Sequence, residues 1–333
     1  MHDTGLRIFT LNASRDFARD VTKSLGISLG EHEERDFLDG EHKARILENV
    51  RGKDVFVIQS LHSDEQQSVN DKLIRLLWFL GSIRDASAGR VTVVIPYLCY
   101  ARKERKTKSR DPVSSRYLAA ILEAVGIDRV MTLDVHNLAA YQNAFRIHSE
   151  HLEAKKLFVD YFSAQQAINE LVVVSPDVGG VKRAELFRQA LQARLGRAVG
   201  SGFMEKQRSA GVVSGETLVG NVKGKAVIIL DDLISSGATI ARTVKACHQA
   251  GAGHISATAS HGLFVANADE VLADTALDKL VVTNTIPAFR LHSESVKAKL
   301  VILNVAPLFG EAIRRIHEGG SIVELLATGD DTA

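Results

Sequence analysis

Two adjacent carboxylates followed by a short loop of small residues form the segment with the most chemical information in this sequence. Asp231 and Asp232 come directly after the apolar run AVIIL, and the loop after them leads into a stretch with helical spacing. The loop contains Ser235, Ser236, Gly237, Ala238 and Thr239. Backbone N–H groups at a helix N-terminus and small hydroxyl side chains favour the binding of a phosphate. The carboxylates would repel such an anion, so we expect them to bind vicinal sugar hydroxyls or Mg²⁺.

A plainer interpretation of the same segment stays open, namely a capped helix that starts after a buried strand and lies beside solvated aspartates. Two adjacent acids before a Ser/Gly/Thr loop form a more specific pattern than a strand that leads through an aspartate and a loop into a helix. It resembles the phosphoribosyl diphosphate-binding signature of type I phosphoribosyltransferases. The GK[ST] sequence of a Walker A motif does not follow, so the segment is not a P-loop of that kind.

The second informative segment is PYLCYARKERKTK at 96–108, which follows the apolar run VTVVI. Besides the acidic Glu104, it contains the cationic side chains Arg102, Lys103, Arg105, Lys106 and Lys108. A charge run is usually a solvated surface, and that alternative applies here as well. Ligands of open α/β sheets bind at the carboxyl ends of the strands, so the position of this run favours a triphosphate site.

Short apolar runs that predict strands recur along the chain. They lie at 55–59, 91–95, 130–133, 171–174, 226–230 and 279–282. The runs are continuously apolar rather than alternating, as expected for parallel strands whose two faces are both covered. Segments with helical spacing lie between them, at 66–86, 181–195 and 239–250. This alternation predicts a doubly wound α/β fold.

The composition limits the class of protein. Its 333 residues are 45% hydrophobic and 24% charged, which is typical of a globular chain and excludes a mostly disordered one. Lys and Arg number 41 against 40 Asp and Glu, so a general nucleic-acid binder is disfavoured. The charged N-terminus predicts no secretory signal, no apolar run predicts a membrane span, and the only cysteines are Cys99 and Cys247. We therefore expect a soluble, cytoplasmic protein with no nucleic-acid or membrane partner.

The length predicts two domains, at roughly 150 residues per domain. The polar stretch at 148–156 is the best boundary between them. We expect an N-terminal domain at 1–150, completed by the segment 303–333, and a C-terminal domain at 151–302. Each half contains a strand that ends in a polar residue and a turn, which is consistent with a duplicated α/β domain.

These segments resemble the ribose-phosphate diphosphokinase (phosphoribosyl pyrophosphate synthetase) family over nearly the whole chain. The matching segments are, in order, FLDGE (37–41), NVRGKDVFVIQS (49–60), VNDKL (69–73), PYLCYARKERK (96–106), TLDVHN (132–137), SPDVGGVKRA (175–184), MEKQR (204–208), DDLISSGAT (231–239), VVTNTI (281–286) and VAPLFGEAIRRIHEGGS (305–321). The resemblance implies an α/β protein with two doubly wound domains of the type I phosphoribosyltransferase-like fold, each with a mainly parallel central sheet. It also implies an enzyme of nucleotide biosynthesis, which transfers the diphosphoryl group of MgATP to the 1-hydroxyl of ribose 5-phosphate and gives phosphoribosyl diphosphate and AMP.

The resemblance assigns the binding of ATP to the first half of the chain. Phe37 would stack on adenine while Asp39 and Glu41 reach the base, and their loop would be shared between the subunits of a homo-oligomer. On the residues alone, a Phe before Asp-Gly could instead anchor a turn. Arg102 and Lys103 would contact ATP.

Mg²⁺ is the cofactor that the resemblance implies. His136 and Asp177 would touch the metal–triphosphate unit, and His136 would also bind ATP. A lone histidine is more often structural, but Asp134 and Asn137 beside His136 favour the active-site interpretation.

Lys206 and Arg208 are the catalytic residues that the resemblance implies. They lie on the Gly/Ser-rich stretch 204–217, which predicts a mobile flap, and two cations one residue apart on an extended chain can face the same way. The pair would close over the transferring group and stabilise the charge on its oxygens. The loop 235–239 would hold the 5-phosphate, and Asp231 and Asp232 would hold the ribose hydroxyls.

The chain departs from the family at four points. Lys103 and Glu104 stand where many members have Gln and Asp. Gln207 replaces the middle Arg of the usual KRR sequence. These changes bear on the preference for the nucleotide. The phosphate loop reads SSGAT rather than DTAGT, which removes an acid near the 5-phosphate. Val323 and Glu324 replace serines that help other members bind regulatory phosphate or ADP. A carboxylate would repel those anions, so we expect little activation by phosphate and little inhibition by ADP.

Two other functions stay open on the sequence. One is a catalytically silent paralogue that binds an active synthetase and regulates it, although such a protein has no chemical reason to retain all the site residues named above. The other is a phosphoribosyltransferase that consumes the product. That class shares the acidic pair and its loop, but it needs neither the FLDGE and ARKERK segments nor a second α/β domain.

Overall fold

The computed structural model describes residues 5–165, 170–209 and 212–327, with the backbone alone described at 206–209 and 212–216. Within these ranges the strands are β1 (Leu6–Thr10), β2 (His32–Asp36), β3 (His42–Ile46), β4 (Asp54–Ile58), β5 (Arg90–Ile95), β6 (Arg129–Leu133), β7 (His148–Leu152), β8 (Leu171–Ser175), β9 (Gly200–Ser209), β10 (Val212–Val219), β11 (Ala226–Ile234), β12 (His254–Gly262), β13 (Lys279–Thr283) and β14 (Leu300–Leu303). The helices are α1 (Arg15–Leu25), α2 (Val69–Asp85), α3 (Ser114–Ala124), α4 (Leu138–Ala144), α5 (Lys155–Ser163), α6 (Val181–Leu195), α7 (Ala238–Gln249), α8 (Ala268–Val271), α9 (Glu294–Lys297), α10 (Ala306–Glu318) and α11 (Ile322–Leu326). Strands and helices alternate along most of the chain, which confirms the predicted α/β class.

The chain forms two compact units, one of Met1–Glu153 with Val305–Ala333 and the other of Ala154–Asn304. The strand β14 pairs with β13 and so belongs to the second unit, whereas α10 packs against α1 in the first. The rings of Phe17 and Phe309 meet edge to face in that helix pair, with their centroids 5.5 Å apart. The chain therefore returns to the first unit between β14 and α10.

The first unit contains a parallel sheet with the order β1-β4-β5-β6-β7 among the described residues. Val55 and Val57 of β4 belong to one hydrophobic cluster with residues of α2 and α3. Phe56 and Ile58 are also fully buried, and strand alternation places them on the opposite face. Both faces of the sheet are thus covered, which explains the continuously apolar runs. The carboxyl ends of the parallel strands lie at one edge of the sheet, where the loops after β5 and β6 meet.

Helix α2 begins later than its sequence pattern predicts, at Val69 rather than at residue 66. The cause is a capping box, in which Ser68 Oγ accepts from Asp71 N at 3.2 Å and Asp71 Oδ2 accepts from Ser68 N at 2.8 Å. Asp64 Oδ1 takes the N–H groups of Gln66 and Gln67 outside the helix, at 2.9 and 2.8 Å. These side-chain acceptors fix the first helical residue.

A two-stranded antiparallel hairpin, β2–β3, is a feature of the first unit that the sequence analysis did not predict. Its connecting loop is the segment 37–41. Ala44 and Ile46 of β3 pack on the same hydrophobic cluster as α2, and the ring centroids of His32 and Phe79 lie 5.5 Å apart. The two strands of the hairpin therefore pack on the hydrophobic cluster of the first unit, and the loop 37–41 connects them.

The second unit contains a sheet with the order β10-β9-β8-β11-β12-β13-β14 among the described residues. All its neighbouring strands are parallel except β10 and β9, which form an antiparallel hairpin. The stretch interpreted as a flap on an extended loop is therefore strand backbone wherever it is described. Strand β11 extends to Ile234 because Leu233 and Ile234 pair with His261 and Gly262 of β12, so Asp231 and Asp232 lie within the strand.

Across the described part of the chain, no helix combines the length and the apolar character needed to cross a membrane.

Candidate functional site

An acidic pair held by one arginine forms the centre of the site in the second unit. The side chain of Asp232 is only 3% exposed and that of Asp231 is 21% exposed. Arg183, in the first turn of α6, donates to Asp232 Oδ1 at 3.1 Å, and its Nη1 lies 3.9 Å from Asp231 Oδ1. The N–H of Asp232 also donates to Asp231 Oδ1, at 2.8 Å. Arg183 thus supplies the positive charge that lets two neighbouring carboxylates be buried within β11.

The surroundings of Asp231 change its pKa. Burial and the neighbouring charge of Asp232 raise the pKa of Asp231 to about 8, although Arg183 acts in the opposite direction. The environment of Asp231 therefore favours its protonated form beside the carboxylate of Asp232. Such a pair offers both a donor and acceptors to vicinal hydroxyl groups.

The predicted phosphate loop joins β11 to α7. Gly237 caps α7 with a φ of 76°, a left-handed conformation that glycine adopts without strain. A Cβ there would lie 3.0 Å from Leu272 Cγ, so the packing as well as the backbone requires glycine. Ser235 O accepts from Val265 N at 3.0 Å, which fixes the start of the loop. The first N–H groups of α7 have no partner inside the helix, which makes this helix start suitable for an anion.

A second loop at the same edge of the sheet carries Asp177, since β8 and β11 are parallel neighbours. Asp177 Oδ1 accepts from Gly180 N at 2.9 Å, and its carbonyl oxygen accepts from Ser175 Oγ at 2.7 Å. A Cβ on Gly180 would lie 2.7 Å from Ser175 Oγ, so the loop closes tightly before α6. The side chain of Asp177 remains exposed and able to meet a ligand.

Among the described side chains, no group of three or more His, Cys, Asp or Glu residues is arranged to hold a metal ion. Mg²⁺ does not need such a cage, because it is commonly bound by one or two carboxylates together with substrate phosphates. The exposed carboxylate of Asp177 fits that role. The imidazole of His136 fits it less well, because Mg²⁺ prefers oxygen ligands.

The two predicted catalytic cations lie on β9, where the backbone of Lys206 pairs with Glu216 and that of Arg208 with Val213. Their side chains lie outside the described part of the structure.

In the first unit, His136 lies on the loop between β6 and α4 and is exposed. The loop starts at Asp134, whose φ of 40° is unusual for a residue other than glycine. Hydrogen bonds hold it in place: Asp134 N donates to Leu152 O at 2.9 Å, Val135 N donates to His151 Nε2 at 3.2 Å, and Asn137 Oδ1 caps α4 by accepting from Ala140 N at 3.0 Å. A backbone conformation held in this way is characteristic of functional loops.

The cationic loop after β5 is organised by a residue that the sequence analysis missed, Asp111. Its Oδ2 accepts from Lys103 Nζ at 2.7 Å, from Thr107 Oγ1 at 2.7 Å, and from the N–H groups of Thr107 and Lys108 at 3.1 and 3.0 Å. These donors, Lys103 first, hold the pKa of Asp111 well below its usual range. Lys103, predicted to contact ATP, thus has its ammonium group paired inside the loop, whereas the side chain of Arg102 is exposed.

The loop 37–41 is a closed turn at the tip of the β2–β3 hairpin. Phe37 N donates to Glu41 O at 2.9 Å, Phe37 O accepts from Gly40 N at 3.0 Å, and Asp39 Oδ1 accepts from Glu41 N at 3.1 Å. The guanidinium of Arg35 lies 5.0 Å from the centroid of the Phe37 ring. The segment therefore forms a turn, and this turn leaves Phe37 38% exposed.

Within each unit, the structure brings several predicted residues together. In the second unit, Asp177 follows β8, while the acidic pair lies in the neighbouring strand β11 and the loop 235–239 follows that strand. In the first unit, the loop of Arg102 and the loop of His136 follow the neighbouring strands β5 and β6. Arg183 and Asp111 were missed because their roles depend on partners that are distant in sequence. Asp232 lies 49 residues from Arg183, and Lys103 lies 8 residues from Asp111. In the sequence, Arg183 was marked only by its place in the segment SPDVGGVKRA. Asp111 was marked only by its place just after the cationic run 102–108.

Two family models match the chain. The model described as the N-terminal domain of ribose phosphate pyrophosphokinase matches residues 6–126, and the one described as a phosphoribosyl synthetase-associated domain matches residues 212–327.

Curated relatives and a solved structure match nearly the full length. The ribose-phosphate pyrophosphokinase 1 of Listeria innocua is 39% identical over 324 residues, which cover 97% of this chain and 98% of the relative. The ribose-phosphate pyrophosphokinase of Caldanaerobacter subterraneus is 38% identical, with 97% and 98% coverage. The crystal structure of phosphoribosylpyrophosphate synthetase from Mycobacterium smegmatis matches with a TM-score of 0.85 at 34% identity, covering 95% of this chain and 99% of that one. The structural match confirms the predicted fold class.

The packing of Gly237 predicts that Gly237→Ala weakens the binding of a phosphate ligand. A Cβ would both strain the left-handed backbone and contact Leu272, so the loop must shift. Gly224→Ala is a matched control, since Gly224 has a similar φ of 72° but no atom within 4 Å of a Cβ. Each variant bears the left-handed strain of roughly 1–2 kcal/mol. We expect calorimetric titration with ribose 5-phosphate to detect weaker binding in Gly237→Ala alone, and equal affinities in both variants would contradict the packing argument.

The acidic pair predicts a pH-dependent stability that Asp231→Asn removes. The pKa of Asp231 in the folded state, about 8, is above its unfolded value of roughly 3.9. The stabilising contribution of this group is therefore complete below about pH 4 and is lost as the pH rises to about 8. Urea unfolding between pH 5 and 9 should show Asp231→Asn gaining stability relative to the natural chain as the pH rises. Glu294→Gln, at an 89% exposed side chain of the same unit, should show no such trend.

Proposed function

The chain belongs to the ribose-phosphate pyrophosphokinase family, and we propose that it is an active enzyme that transfers the diphosphoryl group of MgATP to the 1-hydroxyl of ribose 5-phosphate. The products are phosphoribosyl diphosphate and AMP. The observation that carries the proposal is strand β11, which holds an acidic pair bound by Arg183 and leads through the loop 235–239 into a glycine-capped helix. An acceptor for hydroxyl groups next to an anion site suits a sugar phosphate. We assign the ribose hydroxyls to Asp231 and Asp232, and the 5-phosphate to the loop 235–239.

We assign the binding of ATP to three loops of the first unit. The exposed ring of Phe37 offers a face for stacking on adenine, and Asp39 and Glu41 would reach the base. Arg102 and His136 would meet the triphosphate, Arg102 as a cation and His136 as a hydrogen-bond donor. Lys103 would add its charge to the same loop while it remains paired with Asp111.

For the transfer itself, we propose that Lys206 and Arg208 stabilise the charge on the oxygens of the diphosphoryl group, since such transfers depend mainly on positioning and electrostatics. Mg²⁺, when bound, neutralises charge on the triphosphate and orients it for in-line attack. Asp177 is the residue best suited to hold it, because its side chain is exposed and Mg²⁺ prefers carboxylate oxygens as ligands.

Homo-oligomerisation, with the loop 37–41 shared between subunits, is a further part of the proposal. It is supported by exposed large apolar side chains on α2 and α3, whose buried faces share one cluster. Ile74 and Trp78 on α2 are 45% and 60% exposed, and Tyr117 and Ile121 on α3 are 57% and 45% exposed. Exposed large apolar side chains on these helices favour coverage by a second copy of the chain.

We also propose that phosphate and ADP exert little allosteric control. Glu324, which stands where other members have a serine, has its carboxylate 3.6 Å from Arg315 Nη1. Arg315 further donates to Glu311 Oε1 and to Ser321 O, both at 2.7 Å. A cation already surrounded by acceptors from its own chain attracts a dissolved anion less strongly.

A cytoplasmic location completes the proposal. Cys99 and Cys247 are buried free thiols, and burial raises the pKa of each to about 12. Unpaired, unreactive thiols are usual in a reducing compartment.

The direct test is an assay with ribose 5-phosphate and MgATP, in which AMP and phosphoribosyl diphosphate are both measured. Lys206→Ala should lower kcat by about 10²–10³ while the affinity for ribose 5-phosphate stays nearly unchanged, because a transition-state donor is removed. Lys223→Ala is the control, since Lys223 is an exposed lysine in the turn between β10 and β11. A natural chain that forms no AMP would favour the silent regulatory paralogue, and an unchanged kcat in Lys206→Ala would remove this residue from the mechanism.

The proposal on allostery predicts that the rate is nearly constant as inorganic phosphate is varied at fixed substrate and free Mg²⁺. Glu324→Ser removes the carboxylate beside Arg315, so a dependence on phosphate should emerge in this variant first. Activity of the natural chain that requires phosphate would contradict the proposal.

A further inference from the structure

The β2–β3 hairpin buries a carboxylate and two imidazoles next to the loop 37–41. The carboxylate of Glu34 accepts from His32 Nε2 at 3.0 Å and from His42 Nε2 at 3.2 Å, one at each oxygen. The N–H of Asn12 donates to Glu34 Oε1 as well, at 2.5 Å. The side chains of His32, Glu34 and His42 are 3%, 7% and 5% exposed. We call these three residues the hairpin triad.

Burying a carboxylate is costly unless hydrogen bonds and nearby positive charge compensate. Burial acts to raise the pKa of Glu34, but hydrogen bonds from His32, Asn12 and His42 outweigh it, so that the pKa is lowered. Glu34 is therefore ionised near neutral pH and binds both strands of the hairpin and the segment after β1. Removing its charge would weaken all three of these contacts together.

The register of the hairpin connects the triad to the loop. Asp36 and His42 are the last cross-strand pair, so His42 is the residue directly after the loop. Asp36 is fixed as well, because its Oδ1 lies 2.6 Å from Arg75 Nη2 on α2. The buried triad therefore anchors the loop 37–41 at His42, and the pair of Arg75 with the 68% exposed Asp36 adds a weaker contact at the other end.

The outer face of the same hairpin carries a different kind of contact. Glu33 Oε1 lies 3.0 Å from Arg45 Nε and 3.7 Å from Lys43 Nζ, with all three side chains about half exposed. Exposed ion pairs contribute little to stability. The position of the loop is thus determined by the inner face.

We infer that His32, Glu34 and His42 are positioning residues, which hold the loop 37–41 in the conformation that binds the adenine base of ATP. This inference rests on the proposed function of that loop. A loop that is ordered before binding loses less conformational freedom when the ligand arrives, so the triad increases the affinity for ATP. The triad does not touch the reacting atoms, and its removal leaves the chemical step intact.

The test compares Glu34→Gln with Glu33→Gln, the same chemical change on opposite faces of one strand. We expect Glu34→Gln to raise the KM for ATP by about tenfold while kcat and the KM for ribose 5-phosphate stay within about twofold. Glu33→Gln should leave all three near their natural values. His42→Ala should resemble Glu34→Gln, and His42→Gln, which retains an N–H donor, should recover most of the affinity. A purely structural role would instead lower kcat and stability together, without this split, and would overturn the inference.

Amide hydrogen exchange provides a readout that does not need catalysis. The N–H groups of Phe37 and Glu41 are hydrogen bonded within the loop, at 2.9 and 3.1 Å, so their exchange reports its order. Both should exchange faster in Glu34→Gln than in Glu33→Gln, and equal rates would overturn the inference even if the ATP kinetics changed. If the natural chain makes no phosphoribosyl diphosphate, the proposed function fails while the exchange rates still decide whether the triad orders the loop.

Discussion

The ion pair between Arg183 and Asp232 is the interaction on which the site of the second unit depends. Two adjacent acids at the end of a buried parallel strand cannot both be ionised without a nearby cation. Arg183 meets this need from the first turn of α6, at 3.1 Å. Because α6 begins immediately after Gly180, the same helix start also fixes the loop that presents Asp177. One arginine and the helix that carries it therefore link the acidic pair to the loop of Asp177.

The first unit applies the same physical rule with the charges reversed. There, single carboxylates organise positively charged or imidazole-bearing segments: Asp111 gathers the cationic loop, and Glu34 holds two histidines behind the loop 37–41. The difference follows the ligands assigned to each unit. A triphosphate needs exposed cations whose backbone is fixed by buried or half-buried acids. Ribose hydroxyls need acceptors, and these must be fixed by a cation.

The sequence was informative where function depends on a strand and the residues directly after it. The buried strands β4, β5, β6, β8 and β11 start within one residue of their predicted positions, because an apolar run covered on both faces has few alternative structures. The hairpin β2–β3 could not be predicted in the same way. Its strands, HEERD and HKARI, are mostly charged and acquire their buried face only by packing on α2. Arg183, Asp111 and the hairpin triad were missed for the same reason, since each acts through a partner that the fold brings near.

The electrostatics of the second unit also explain how a phosphate loop tolerates the two acids before it. Arg183 compensates Asp232, and the raised pKa of Asp231 favours the neutral form of that group. The loop itself, with Ser235 and Ser236 in place of the DTAGT acid, adds no further negative charge. What remains is the partial positive charge of the α7 start and the hydroxyl donors around Gly237. With no acid in the loop, an anion bound at the α7 start would therefore meet less repulsion.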